Sequence, residues 1–203
     1  DHIRFYDVSR GSIEINGTDI RKYDLESLRA QVGYVAQKAH MFKGSIRSNI
    51  CFGKPEASDE EMHHAARVAQ ASDFISKREN GYLDEIAEDG TNISGGQKQR
   101  LSIARVILKK PSLYIYDDSF SALDFKTDAT LRKALKPEVE DAIFFVVAQR
   151  ISTIMDSDMI IVLDEGQIIG LGTHLELLKN CSVYQEIAHS QLTQKELDDY
   201  ERN

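Results

Sequence analysis

Hydrophobic positions along the chain change period several times, and the changes mark out its elements. Ile13 and Ile15 alternate with polar residues and run into Asn16-Gly17, a tight-turn pair, so the chain opens on a predicted hairpin. Leu25 and Leu28 behind a capping Asp24 predict a short helix, and Gln31 to Ala36 predicts a strand that delivers Gln37 at its end. From Lys38 to about Lys110 the spacing turns helical, with Ser58 and Glu61 placed as a capping box ahead of Ala65, Val68 and Ala69 on one face. Pro111 stops the last of these helices. Leu113-Tyr114-Ile115-Tyr116 and Ile143 to Ala148 then read as buried strands. Met159 to Leu163, a turn at Asp164-Glu165-Gly166 and Gln167 to Leu171 form a second hairpin. Thr173 and Glu176 cap a helix through Leu177 and Leu178, Tyr184, Ile187 and Leu192 pack a last helix, and the end beyond Gln191 is polar.

Strands alternating with helices predict an α/β fold, a mostly parallel sheet with helices packed on it and ligands at the carboxyl ends of its strands. Gln37, Asp117 and Gln149 each follow a predicted strand and are expected on that edge. At 203 residues, 41% hydrophobic and 29% charged, the chain can bury a core. Its net charge of −8 works against a general nucleic-acid surface without arguing against a bound nucleotide. Cys51 and Cys181 stand far apart in no metal-like spacing, which suits a reducing compartment. The longest apolar run, Ala142 to Ala148, is far short of the roughly 20 residues of a membrane helix. Asp1 to Asp7 has neither a start methionine nor a signal pattern and reads as a cut in a longer protein. His63 and His64 are neighbours on a helix, point to different faces and are expected to be solvated.

Two segments carry chemistry. Ser94-Gly95-Gly96-Gln97 precedes a helical run, Leu101, Ile103, Ala104, Val106 and Ile107, that closes at Lys109, Lys110 and Pro111. Paired glycines let a phosphate approach the backbone, where the first amides of the helix and the positive end of its dipole would meet it. Asp117-Asp118 ends a strand of large residues. Adjacent carboxylates there can hold a hydrated Mg²⁺ and orient an attacking water.

The string Asn92 to Arg100 resembles the signature motif of ABC-type ATPases, and Leu113 to Asp124 resembles that family's Walker B strand with the Ser121-Ala122-Leu123-Asp124 D-loop after it. Gln37 with Met41 to Ile50 is similar to the exporters' Q-loop region, and Glu88-Asp89-Gly90 to the segment that meets the intracellular loops. Asp89 stands there where the family commonly has a basic residue. Arg4-Phe5-Tyr6-Asp7, Gly11-Ser12-Ile13 and the stretch from Gln149-Arg150-Ile151-Ser152-Thr153 also match, so the resemblance spans about residues 3 to 192.

The resemblance implies a P-loop NTPase-like core at 1–37 and 110–190, N-terminally incomplete, with an inserted α-helical subdomain at 38–109 and a polar tail at 191–203. It implies ATP and Mg²⁺ as cofactors, with Asp117 and Gln37 on the metal and Asp118, Gln149 and Gln37 as catalytic groups. Ser94, Gly95, Gly96 and Gln97 would grip ATP bound to the opposite subunit, while Asp124 and Glu88 would lie at interfaces. The implied partners are a second ABC ATPase domain and a transmembrane domain with intracellular loops, at the cytoplasmic face of the membrane, and no nucleic acid.

Three departures qualify the expectation. Asp118 stands where the family usually has Glu, and retracting a carboxylate by more than ~1 Å can cost on the order of a hundredfold in rate. Gln149 stands where a histidine is usual, and an amide cannot shuttle a proton. The pair resembles the degenerate half of a heterodimeric exporter. The third is that no Gly-x-x-x-x-Gly-Lys-(Ser/Thr) occurs; Gly53-Lys54 runs into Pro55. On that ground the chain alone is expected to bind ATP weakly and to be inactive, with part of its sheet uncovered. A non-transport ABC-fold ATPase acting on nucleic acid or ribosomes, or a truncated inert interaction module, remain as alternatives.

Overall fold

The computed structural model describes Arg4, residues 6–118 and 120–193, and Leu197. Phe5 and most of the polar tail after 193 lie outside the described residues. Two compact units divide the chain, Asp1–Val147 and Ala148–Asn203.

In the first unit the hairpin forms as its sequence dictates. β1 (Glu14–Ile15) and β2 (Thr18–Asp19) pair antiparallel around Asn16 and Gly17, at φ 51° and 74°. An Asn-Gly pair accepts two left-handed residues at low cost. Asp24 caps α1 (Leu25–Gln31), accepting from the Ser27 amide at 3.1 Å, and the chain passes directly into β3 (Val32–Val35).

The segment after β3 is not helical throughout, as its spacing suggested. It opens with β4 (Gly44–Ser45), continues through α2 (Ile46–Ile50), α3 (Asp59–Val68) and α4 (Ser72–Ser76), and then forms β5 (Glu85–Ile86), which pairs antiparallel with β4. Ser45 is extended, as an N-cap must be, and its hydroxyl accepts from the Ser48 amide at 3.0 Å. Ser58 and Glu61 form the expected capping box on α3. The two histidines of α3 point to different neighbours, as expected, with His64 exposed and His63 half-buried. His63 tilts onto Tyr82 with ring centroids 4.7 Å apart, and His64 Nε2 lies 2.7 Å from Glu138 Oε1.

α5 (Gly95–Lys109) ends in left-handed Lys110, followed by Pro111. Then come β6 (Leu113–Asp117), α6 (Phe125–Glu138) and β7 (Ile143–Val147). β3, β6 and β7 form a parallel sheet in that order, with Tyr34, Ile115 and Phe145 in register. Side chains alternate between the faces of such a sheet. Val35, Tyr114, Tyr116, Phe144 and Val146 join one core with Leu101, Ile103, Ala104 and Val106 of α5. The other face carries Tyr34, Ile115, Asp117, Phe145 and Val147.

β7 corrects the expectation of a strand buried on both sides. Ile143, Phe145 and Val147 are 61%, 43% and 53% exposed, while Phe144 and Val146 pack against the core. β7 is one edge of the sheet, and a continuous apolar run cannot distinguish one covered face from two. On the Tyr34 and Phe145 face these two side chains are 40% and 43% exposed, while Ile115 between them is buried.

The second unit contains α7 (Ile151–Ile154), the hairpin β8 (Ile160–Asp164) and β9 (Gln167–Gly172), α8 (His174–Asn180) and α9 (Ser182–Gln191). β8 and β9 are antiparallel, with a register shift between Val162 and Leu163. Thr173 and Glu176 close the predicted capping box on α8. Leu177, Cys181, Tyr184, Ala188 and Leu192 pack with Ile160 and Val162, and Ile187 packs against this cluster.

His174 is buried in this second core, its Nδ1 2.7 Å from the Tyr184 hydroxyl. Burial holds the ring's pKa below its ordinary 6.5, against the smaller opposing effect of Asp156. The unfolded ring therefore binds more protons than the folded one below about pH 6.5, so the second unit's stability is full above that value and declines as pH falls towards the folded pKa. Hydrogen exchange of the α8 and α9 amides, corrected for intrinsic rate, is expected to accelerate from about pH 7.5 to about pH 5. His174→Gln is expected to flatten that difference. An unchanged pH profile in the variant would assign the effect to other groups.

Candidate functional site

At the carboxyl end of the parallel sheet, three of the predicted residues come together. Asp117 is the last residue of β6, and Asp118 follows it in the left-handed region at φ 46°. Asp tolerates that region better than most residues, and such backbone strain concentrates at functional sites. Its peptide is clamped on both sides. The Asp118 amide donates to the Val147 carbonyl at 2.7 Å, and the Asp118 carbonyl accepts from the Ser121 amide at 3.2 Å and hydroxyl at 2.8 Å. Gln37, just beyond β3, donates from Nε2 to Asp118 Oδ2 at 3.4 Å. The preceding residue is anchored, because buried Gln99 of α5 donates to the Ala36 carbonyl at 3.1 Å.

Tyr34 was not singled out in the sequence. Its hydroxyl donates to Asp117 Oδ2 at 3.0 Å, and partial burial, followed by the bond to Asp117, raises its pKa. No one-dimensional signal identifies it, since its partner lies 83 residues away.

The glycine-rich segment forms a second locus, at the head of α5. Ser94 is the N-cap: its hydroxyl accepts from the Gln97 amide at 3.2 Å, and Gln97 Oε1 accepts from the Ser94 amide at 3.1 Å. This capping box fixes the first turn of a 15-residue helix, leaving the other leading amides available to an anion. The two glycines differ. A Cβ on Gly95 would meet nothing within 4 Å, so that side of the tip is open. A Cβ on Gly96 would stand 3.3 Å from the Ala122 carbonyl oxygen and 3.7 Å from Leu123 Cδ2. The Ser121 to Asp124 segment thus braces the tip from one side.

Asp124 is used locally. Its carboxylate caps α6, accepting from the Thr127 amide at 2.9 Å and hydroxyl at 2.7 Å, and these bonds lower its pKa. Glu88 is exposed on a 3₁₀ turn, Glu88–Gly90, in which Asp89 is left-handed at φ 55° and its carbonyl accepts from Lys98 Nζ at 2.7 Å. Gln149 belongs to the second unit, where its carbonyl accepts from Gln191 Nε2 at 2.7 Å.

A third feature was missed at the Met41 to Ile50 stretch. Phe42 and Phe52, 46% and 59% exposed, stack with centroids 4.5 Å apart. Arg105 lies over both rings and donates to the carbonyls of His40 and Asn49. Burial lowers its pKa to about 10, which still leaves it charged at neutral pH. The visible signal is an exposed aromatic on each side of the short α2.

The donors at the sheet end fit Mg²⁺. They are carboxylate and amide oxygens, the hard ligands that ion takes, and Asp117 keeps Oδ1 free of the tyrosine bond. The open Gly95 tip and its amides suit a phosphate.

The family model for ABC transporters matches residues 3–121. YgaD of Bacillus subtilis, provisionally named a multidrug export ATP-binding/permease protein, is 47% identical over 184 residues, 91% of this chain and 32% of its own. A Staphylococcus aureus protein of the same provisional name is 42% identical over 184 residues, with the same two shares. Among solved structures, a bacterial Atm1-family ABC exporter with ATP bound superposes with a TM-score of 0.89 at 39% identity, over 92% of this chain and 33% of that one. The chain spans about a third of the length of these relatives.

Proposed function

The chain belongs to the ABC transporter family as an ATP-binding domain, and from that premise we propose that it powers export across a membrane by closing on a second ATPase domain around ATP. The observation that carries this reading is the head of α5. It is capped by its own box, open at Gly95 and braced at Gly96, and its leading amides would meet a phosphate held by another subunit.

Its own acidic end would bind the metal. Asp117, with Gln37 beside it, would hold Mg²⁺, and Asp118 would face the attacking water. Bound Mg²⁺ supplies charge neutralisation at the phosphates when present. Asp118 is one methylene shorter than the usual Glu and its backbone is clamped, so its carboxylate cannot move forward to compensate. With Gln149 at the switch position, this half would hold nucleotide without turning it over quickly, and the partner domain of a heterodimer would hydrolyse. Exposed Phe42 and Phe52, with Glu88, would meet the intracellular loops of the transmembrane part at the cytoplasmic face. The exported compounds would be of the multidrug kind named for the relatives, or lipids.

Photolabelling of the assembled transporter with 8-azido-ATP during turnover tests this reading. Nucleotide recovered from the polypeptide carrying this chain is expected to remain mostly triphosphate, and nucleotide on the partner domain to become diphosphate. Equal conversion on both would remove the degenerate-site assignment, and no labelling of this polypeptide would remove the function.

A further inference from the structure

We infer that Tyr34 is a positioning residue for the metal site: its hydroxyl, 3.0 Å from Asp117 Oδ2, holds the carboxylate in the rotamer that offers Oδ1 to Mg²⁺. The inference rests on the reading of Asp117 as a metal ligand and adds a residue to that site.

The placement follows from the sheet. Tyr34 of β3 is in register with Ile115 of β6, and Asp117 lies two residues further along β6, on the same face. Such diagonal neighbours are roughly 7–8 Å apart at the backbone, a gap a tyrosine spans and a shorter side chain does not. The two strands are held in parallel pairing from Val32 with Leu113 to Val35 with Tyr116, so the phenol reaches Asp117 from a fixed base.

The two adjacent carboxylates are held by different donors. Tyr34 bonds Asp117 and Gln37 bonds Asp118, both donors come from β3 or just past its end, and neither carries charge. A neutral donor orients an acid without competing with a cation for it, whereas a lysine or arginine in the same place would neutralise the ligand. Occupying Oδ2 also disfavours bidentate chelation, which suits Mg²⁺, an ion that prefers octahedral geometry and keeps several waters. Outer partners of this type commonly change metal affinity by about 10- to 100-fold.

The test compares Tyr34→Phe and Tyr34→Leu with the unaltered protein in the assembled transporter. The readout is photolabelling of this polypeptide by 8-azido-ATP as a function of Mg²⁺, with labelling in EDTA as the metal-free reference. Phe keeps the ring and removes only the hydroxyl. Both variants are expected to need about tenfold more Mg²⁺ for half-maximal labelling, with metal-free labelling unchanged. Mn²⁺ affinity of the nucleotide-loaded transporter, followed by electron paramagnetic resonance, is expected to weaken in parallel. If Tyr34→Phe matches the unaltered protein while Tyr34→Leu is impaired, Tyr34 acts by packing and the inference is overturned. If the unaltered protein shows no Mg²⁺-dependent labelling, the metal assignment itself is overturned and the inference falls with it.

Discussion

Gly96→Asp in a transporter that carries this chain is expected to abolish ATP turnover, by about a hundredfold or more, whereas Asp118→Asn is expected to change it by less than about twofold. The first substitution fails for two physical reasons. A Cβ at Gly96 would crowd the Ala122 carbonyl at 3.3 Å, pushing apart the helix tip and the segment that braces it. The added carboxylate would also place negative charge where a phosphate must approach. The second substitution touches a group that is short, clamped through its backbone and bonded to Gln37, and so poorly placed to reach an attacking water. Ser94→Ala is expected to fall with Gly96→Asp, since it removes the N-cap as well as a hydroxyl at the tip, and the lost cap alone costs about 1 kcal/mol. Steady-state ATP hydrolysis at matched expression decides the matter. Equal damage from the signature and Asp118 changes would refute a division of labour between the two loci.

Gly33→Ala is expected to be the most damaging small change in the sheet. A Cβ there would lie 2.4 Å from Val106 Cγ1 and 2.6 Å from Pro111 Cγ, closer than real Cβ contacts come. Neither neighbour yields easily: valine is stiff at χ1, and the proline ring is fixed to a backbone that has just turned through left-handed Lys110. β3 would have to move away from α5, taking with it the ladder to β6 and the anchored Ala36 that positions Gln37. Overpacking of this kind costs about 3 kcal/mol at the upper end of its usual range. Thermal denaturation is expected to show a melting temperature lower by several degrees and, in the assembled transporter, a loss of activity that Gly33→Ala shares with Gln37 variants. An unshifted melt would mean that β3 and α5 are less tightly apposed than described.

Features that depend on a few neighbouring residues are legible in the sequence. Asn16-Gly17 announces its hairpin, and the Ser58, Ser94 and Thr173 caps announce their helices. Asp117 was placed at a strand end by the run of large residues before it. Each is a local matter of dihedral preference or of an amide seeking an acceptor three residues away. The resemblance to ABC ATPases was legible for a related reason, since its motifs are contiguous strings.

The misreadings are non-local. The exposed face of β7 depends on its place at the edge of a three-stranded sheet, and the pairing of β4 with β5 joins segments about forty residues apart. Tyr34 acquires meaning only when β3 lies beside β6, and Arg105 only when α5 brings it over Phe42 and Phe52.

Sequence alone thus determined which residues could turn, cap, hold a metal or admit a phosphate, because those capacities belong to the side chain and its nearest neighbours. Which carboxylate oxygen stays free, which glycine is open and which strand face meets water were left to the packed chain. Those outcomes are set by contacts between residues remote in sequence, whose pairing no local preference specifies.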